Sequence, residues 1–385
     1  MRINALFLFS AVVLVAFALL WSCGPKPIKP ESVLDTPDNH YNQGMRLLDR
    51  GDLDTAESEF TRALAIDPDF AEGFSGLALV AATREDYKTA NELANKGINK
   101  NKNSVDAWIA KGRVLTMERE GDDWIKTAAK VFDKAIELNP RSGKAYYYKG
   151  DAYKDAYMFG AAADEFRKVI ELKGDFAEEA NAEWEVVQKI ERAAPGTKVG
   201  AKIALIDEID RADLAVLLME ELKLMELLDK KRPKEYDTGF KAPDDPTQMQ
   251  ASQVVQMADV TDIDDHWAKN WITDIVKARG MDVFPDHTFR PDEKITRANY
   301  AMIMQNILLM ATGDQTLATK YIGTSSRFPD VNPSHFAYNA ICLMVDRGIM
   351  QADKMTGAFN MSDRVSGADA LLIIRDFQNA MTMTF

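Results

Sequence analysis

The densest group of side chains able to do chemistry is Asp262, Asp264, Asp265 and His266, three carboxylates and an imidazole in one short run. Those are the types that hold a divalent cation, but the spacing of a calcium loop does not follow them. They stand just before an apolar-periodic stretch, which predicts that the acids cap a helix beginning near Trp267, where backbone N–H groups lack partners. The four histidines (His40, His266, His287, His335) never fall at paired ligand spacing. Cys342 sits among Ile341, Leu343 and Met344 and reads as a small buried hydrophobe rather than a reactive thiol. No phosphate-cradling glycine loop, zinc-protease helix or nucleophile elbow is present in the sequence. The expectation is a protein that is not an enzyme, with no cofactor and no metal.

Cys23 is the other chemically distinctive residue. Arg2 supplies one positive charge, residues 3–22 carry none, and the small Ser22 stands before Cys23. A basic start, an apolar core and a small residue before the cut are what a secretory signal needs. An uncleaved spanning helix is the alternative, since about 20 apolar residues cross a bilayer. The stretch Leu20-Trp21-Ser22-Cys23 resembles the bacterial lipoprotein box, with Trp21 bulkier than the usual middle residue. That resemblance implies a signal peptide over 1–22 and lipidation of Cys23. Gly24 then implies, by analogy with lipoprotein sorting rules, the outer membrane. Residues 23–37 contain Pro25, Pro27, Pro30 and Pro37 and read as an extended tether, roughly 45 Å long when fully stretched.

At 385 residues the protein has room for two or three domains. Its formal net charge of −13 argues against binding a polyanion, so nucleic acid is not an expected partner.

The elements come next. Gly44, Leu47, Ala56, Phe60, Ala63 and Pro68 recur, with substitutions, at a period of about 34 residues. The second unit carries Leu77, Ala78, Ala81, Ala90, Ala94 and Gly97. A third carries Trp108, Gly112, Leu115, Ala128, Phe132, Ala135 and Pro140, with an insertion around 118–122. A fourth carries Tyr146, Gly150, Tyr153, Ala162, Phe166 and Val169. The spacing suits two antiparallel helices, with small residues at the crossing and a large one filling the gap. This pattern resembles the tetratricopeptide repeat. With a polar-faced capping helix over 177–193, the array extends from 38 to 195. The resemblance implies a concave groove for a peptide or partner helix, lined by Tyr41, Met45, Arg113, Tyr147, Asp151 and Lys154. An ordinary solvated face is the competing reading of those six.

A different unit opens at Val260 and runs through Trp267, Ile272, Gly280, Phe284, Pro285, Phe289, Pro291, Thr296, Arg297 and Ala298. A second copy starts at Phe328 and runs through Phe336, Ile341, Gly348, Phe359, Val365, Gly367 and Ala368. The run 209–218 repeats the later half of the same unit. These runs resemble the surface-layer homology (SLH) repeat. The resemblance implies repeats over 258–312 and 326–385 and a shortened one over 198–228, with residues 229–257 as linker. Three such units imply a pseudo-threefold bundle.

The same resemblance implies recognition of a cell-wall or envelope polysaccharide. Arg211 and Arg297 would each grip a carboxylate, and Trp267 would wall a sugar groove. Gly367 stands where a third arginine would, and Val283 and His287 replace small residues of the family's loop. Other readings stay open: Trp267 as core, Arg297 as a helix cap or partner of Asp292 or Glu293. The fold expected is all-α, a tetratricopeptide-repeat solenoid followed by an SLH-type pseudo-threefold bundle. The function expected is a non-catalytic envelope lipoprotein that ties a membrane to the wall and recruits a protein. The alternative is an assembly or secretion scaffold whose SLH region makes protein contacts only.

Overall fold

A computed structural model describes residues 27–231 and 260–383 of the protein. The export signal, Cys23 and most of the 229–257 linker lie outside the described residues. Among the described residues the fold is all-α, with sixteen α-helices and no strand. None of these helices is long and apolar enough to cross a membrane. The protein divides into two units, 1–184 and 185–385.

The first unit is a run of antiparallel helix pairs: α1 (Pro37–Asp49) with α2 (Leu53–Ile66), α3 (Ala71–Thr83) with α4 (Tyr87–Lys100), α5 (Val105–Glu118) with α6 (Trp124–Leu138), and α7 (Gly143–Asp155) with α8 (Phe159–Leu172). Five of the eight starts are set by a side-chain cap. The side chains of Thr36, Asp52, Asp86, Ser104 and Ser142 accept from the backbone N–H three residues on, satisfying a donor the helix cannot.

The repeat spacing has a steric cause. The Phe60 ring lies against both Gly44 and Gly76, where an added Cβ would come within 2.5 Å and 2.3 Å of it. Phe132 meets Gly112 in the same way at 2.6 Å, and Phe166 meets Gly150 at 2.8 Å. Each of these three rings is fully buried. A glycine in one helix is therefore the socket for a ring from the next, and this pairing fixes how closely the backbones cross.

The tether departs from its expected extended form over 27–36. Ile28 N donates to Ala65 O at 2.8 Å, and the Asp35 carboxylate takes a two-pronged hydrogen bond from Arg62. His40 bridges Asp35 (2.7 Å) and Glu59 (2.5 Å). A charged clasp thus docks this segment on the first repeat.

The second unit holds the later half of α9 (Ala177–Ala193), then α10 (Lys198–Ala204), α11 (Arg211–Glu220), α12 (Leu224–Lys231), α13 (Lys269–Lys277), α14 (Arg297–Thr312), α15 (Tyr338–Asp346) and α16 (Gly367–Met383). The end of α9 belongs to this unit: Arg375 donates to the Ala193 carbonyl (3.0 Å) and Lys189 pairs with Asp369 (2.9 Å).

A closed ring of backbone hydrogen bonds organises this unit. Ile209 N donates to Val365 O (2.9 Å), Val365 N to Ile295 O (3.2 Å), and Ile295 N to Ile209 O (3.1 Å). Each of the three is followed by an N-cap residue, Asp210, Thr296 or Ser366, whose side chain accepts from the N–H three residues further on. The segment around Ile209 thus stands in one hydrogen-bonded ring with the residues that precede α14 and α16. The core around it is apolar: Tyr300, Phe289, Phe359 and Phe377 are fully buried, and the Tyr300 hydroxyl donates to Ala370 O at 2.8 Å.

Candidate functional site

Arg211 opens α11 and reaches into the loop of the next repeat. Its Nε donates to Phe289 O (2.7 Å) and its Nη2 to Asp282 O (2.9 Å). Arg297 opens α14 and does the same one repeat on, Nε to Phe359 O (2.9 Å) and Nη2 to Gln351 O (2.7 Å). Both guanidinium groups lie over the ring of the phenylalanine whose carbonyl they bind, at 4.6 Å. Desolvation lowers the proton affinity of both, but a guanidinium stays charged at any ordinary pH. Two of the five donors of each fork are thus committed to loop carbonyls. Arg297 neither caps its helix nor pairs with Asp292 or Glu293; Thr296 is the cap.

The loops gripped by these arginines are fixed from the other side by a carboxylate. Asp262 accepts from Phe289 N and Arg290 N, both at 2.7 Å. Asp330 repeats this with Phe359 N (2.9 Å) and Asn360 N (2.7 Å). Burial alone raises the Asp330 carboxyl, and those backbone donors more than offset it, leaving it below its ordinary value. The expectation that Asp262 caps a helix is therefore corrected: it pins a loop well downstream of that helix. Asp264 pairs with Lys269 (2.8 Å). The turn before α13 is closed instead by His266, whose Nδ1 accepts from Ala268 N (3.1 Å). His335 closes the matching turn with Ala337 N (3.2 Å).

His287 and Gly357 occupy equivalent loop positions with φ of 62° and 73°. The second repeat thus carries a histidine in a left-handed conformation that glycine adopts freely, and the loop keeps its course without the smaller residue.

Beside these histidines stand two aromatic side chains that do not enter the core. Trp267 is 55% exposed and Phe336, its equivalent, is 76% exposed. Trp267 leans on Trp271, ring centroids 6.0 Å apart, and the indole N–H of Trp271 donates to Glu220 (2.8 Å). Phe336 stacks on His335 at 4.3 Å. The core reading of Trp267 is set aside by its exposure. Exposed flat apolar faces beside polar groups suit the C–H face of a sugar ring. Phe336 stands where the sequence pattern places it, in the position of Trp267, each following a histidine.

In the first unit the structure divides the six expected groove residues. Tyr41 is buried between Phe60 and Phe70, ring centroids 5.9 and 6.2 Å away, and Met45 packs on the same core. Tyr41 thus belongs to the core of the repeat stack, while Met45 is only half-buried against it. Burial holds the Tyr41 hydroxyl well above its usual range, and Asp106 adds to this. Arg113 lies over the Tyr148 ring at 4.2 Å. Tyr147 packs on Phe166 and Phe176, and desolvation pushes its hydroxyl up to about 12. Lys154 joins Asp151 (3.0 Å) and Glu183 (2.8 Å). Among the described residues no cluster of His, Cys, Asp and Glu is arranged to hold a metal ion.

Comparison with known proteins agrees with these two architectures. A tetratricopeptide repeat model matches residues 41–104. An S-layer homology domain model matches residues 258–301 and 327–371. Similar solved structures include a thermophilic tetratricopeptide protein of Thermus thermophilus, at 17% identity and TM-score 0.36 over 50% of this protein and 96% of that one. Another is YrrB, described as a tetratricopeptide protein with an unusual peptide-binding site, at 22% identity and TM-score 0.28 over 40% and 77%. MamA of Desulfovibrio magneticus RS-1 gives 20% identity and TM-score 0.28 over 41% and 96%. No curated protein matches the sequence. Tetratricopeptide repeats point to protein interaction, and S-layer homology domains point to cell-wall anchoring and association with the cell envelope.

Proposed function

We propose that this protein is a non-catalytic lipoprotein that ties a membrane to the cell wall or an envelope polysaccharide. The C-terminal unit would bind glycan, the repeat array would recruit a protein partner, and lipid on Cys23 would hold the other end, by analogy in the outer membrane. One observation supports the glycan end above others: Trp267 and Phe336 are exposed at equivalent positions of two repeats, where solvation alone disfavours large apolar rings. Arg211 and Arg297 support it indirectly. Each retains donors beyond the two given to loop carbonyls, and each shapes the loop beside it.

A second reading has an observation of its own. Because those arginines are largely engaged within the bundle, the C-terminal unit fits equally a scaffold whose exposed aromatics meet protein. Fractionation separates the two. After detergent extraction a wall anchor stays with sedimented wall and is released by wall digestion, carrying a mature N-terminus whose mass includes acyl groups on Cys23. A scaffold is extracted by detergent alone.

A further inference from the structure

The segment leading into the first repeat carries three aliphatic side chains that enter no core. Val33 is 94% exposed, Leu34 73% and Ile28 40%. A single exposed apolar residue is ordinary, but three so close in the chain make a patch. Val33 and Leu34 also stand in a tight turn, where small polar residues are the rule. The turn is nonetheless fixed. Glu31 N donates to the Asp35 carboxylate (2.6 Å), Asp35 N to Ser32 O (3.2 Å) and the Asn39 amide to Leu34 O (2.8 Å). Asp35 is itself gripped by Arg62. What this built turn presents to solvent is aliphatic.

The length of chain before it says what covers the patch. With acyl chains on Cys23, that residue lies at the bilayer surface, and Ile28 N is bonded to Ala65 O at the end of α2. From Cys23 to Ile28 is at most roughly 18 Å of backbone. The full reach of a free tether is therefore not available. The headgroup layer itself takes roughly 5–8 Å of that length. What remains is about one helix diameter, roughly 10 Å, so the first repeat cannot stand clear of the membrane.

We infer that the turn over 31–35 seats Val33 and Leu34, with Ile28 beside them, in the interfacial layer of the lipid bilayer that holds the Cys23 anchor. This rests on the lipid-anchor reading and goes further by giving the anchored array a fixed attitude. Acyl chains alone hold a protein without orienting it. A second apolar contact, tied to the first by a short chain, removes that freedom at little entropic cost. Lys26 and Lys29 flank the patch and suit phosphate headgroups, and the acid next to them, Glu31, pairs with Arg62 at 3.3 Å.

The test uses the full-length lipidated protein in vesicles of phosphatidylethanolamine and phosphatidylglycerol. Cys342 is buried and Cys23 would be acylated, so Val33→Cys alone takes an environment-sensitive fluorophore at an exposed position. Lipids spin-labelled near the headgroup should quench it about twofold or more, because interfacial side chains reach that layer. Leu34→Asp beside the label should remove most of the quenching while the protein still floats with the vesicles. Leu34 is exposed, so this change leaves the repeat folded. Floating protein whose label stays open to aqueous iodide and unquenched by lipid overturns the membrane contact and leaves the lipid anchor standing. A label shielded from iodide in native membranes yet unquenched by lipid in vesicles assigns the patch to a protein and also overturns it. Protein that does not float, with Cys23 open to the fluorophore, overturns both.

Discussion

The carbonyl oxygen of Ile203 lies 1.7 Å from where a Cβ on Gly367 would stand. Gly367 is the third-repeat counterpart of Arg211 and Arg297, and its backbone N–H donates to Ile206 O at 2.8 Å. The missing arginine therefore has a structural reason. In the first, shortened repeat, α10 and the turn after it run where the other repeats present an open loop. Two arginine-gripped loops exist in the bundle, and the third junction is closed by backbone against backbone.

Substituting Gly367 tests that closure. Gly367→Ala places its methyl group against a backbone carbonyl that no rotamer change can move, so it should destabilise the C-terminal unit by about 3 kcal/mol or more. Urea unfolding of the full-length protein, followed by tryptophan fluorescence, reads the loss. A variant as stable as the parent would show that α10 is not seated there.

The arginines should behave as structural clasps as well as candidate ligands. Arg211→Ala leaves two loop carbonyls without their charged donor, which should cost about 2–4 kcal/mol. Arg211→Lys should restore less than half, since an ammonium cannot span both carbonyls in one plane. Loss of wall binding in an alanine variant alone is therefore uninformative unless its thermal unfolding is measured beside it.

Asp213 predicts a pH dependence with a defined sign. It forms a capping box with Asp210, and desolvation foremost raises its carboxyl to about 6. A carboxyl that holds its proton more tightly when folded contributes stability below about pH 4, and that contribution is lost as pH rises through about 6. Asp213→Asn should remove the dependence and raise stability at pH 7 by up to about 2 kcal/mol. Asn299 already occupies the matching position of the second repeat, where its N–H meets Thr296. Denaturation midpoints measured from pH 4 to 8 decide it; parallel curves for both proteins would refute the assignment.

His40 predicts a pH dependence of the same sign, on the N-terminal segment. Burial lowers its proton affinity, but hydrogen bonds to Glu59 and Asp35 outweigh this and raise it. Arg62 and Glu31 complete the charged surroundings, and Gln43 donates to the far oxygen of Glu59. The clasp is strongest below the ordinary histidine range and weakens as pH rises through the elevated value. Amide exchange at Ile28, corrected for its intrinsic rate, should quicken between pH 6 and 8 in the parent and lose that dependence in His40→Gln.

How much of this could be read before the structure depends on the range of the interaction. The helix pairs were legible because Gly44, Gly112 and Gly150 and their rings recur within one repeat, so local spacing carries the packing. The likeness of Ile209-Asp210-Arg211 to two later runs is legible in the same way, and Ile209 joins Ile295 and Val365 in one hydrogen-bonded ring. The direction in which Arg211 and Arg297 turn was not, since a motif names the residue but the carbonyls it meets lie a whole repeat downstream. The same holds for Asp262, whose N–H donors are set by a distant loop rather than by the helix that follows. Tyr41 was misplaced for a different reason. Helical register gives the face of α1 but not the depth at which the rings of Phe60 and Phe70 enclose Tyr41. The clasp at His40 needed α1 and α2 folded back on each other before Glu59 came within reach.

The proposal that the C-terminal unit grips wall glycan stands most directly on the exposed pair Trp267 and Phe336. The measurement is sedimentation of the full-length protein with isolated cell-wall sacculi, comparing the parent with a Trp267→Ala, Phe336→Ala double variant. Both side chains are exposed, so the variant should unfold at the parent's temperature while its affinity for sacculi falls about tenfold or more. A parent protein that does not sediment, or a double variant that sediments as well as the parent, would contradict the account.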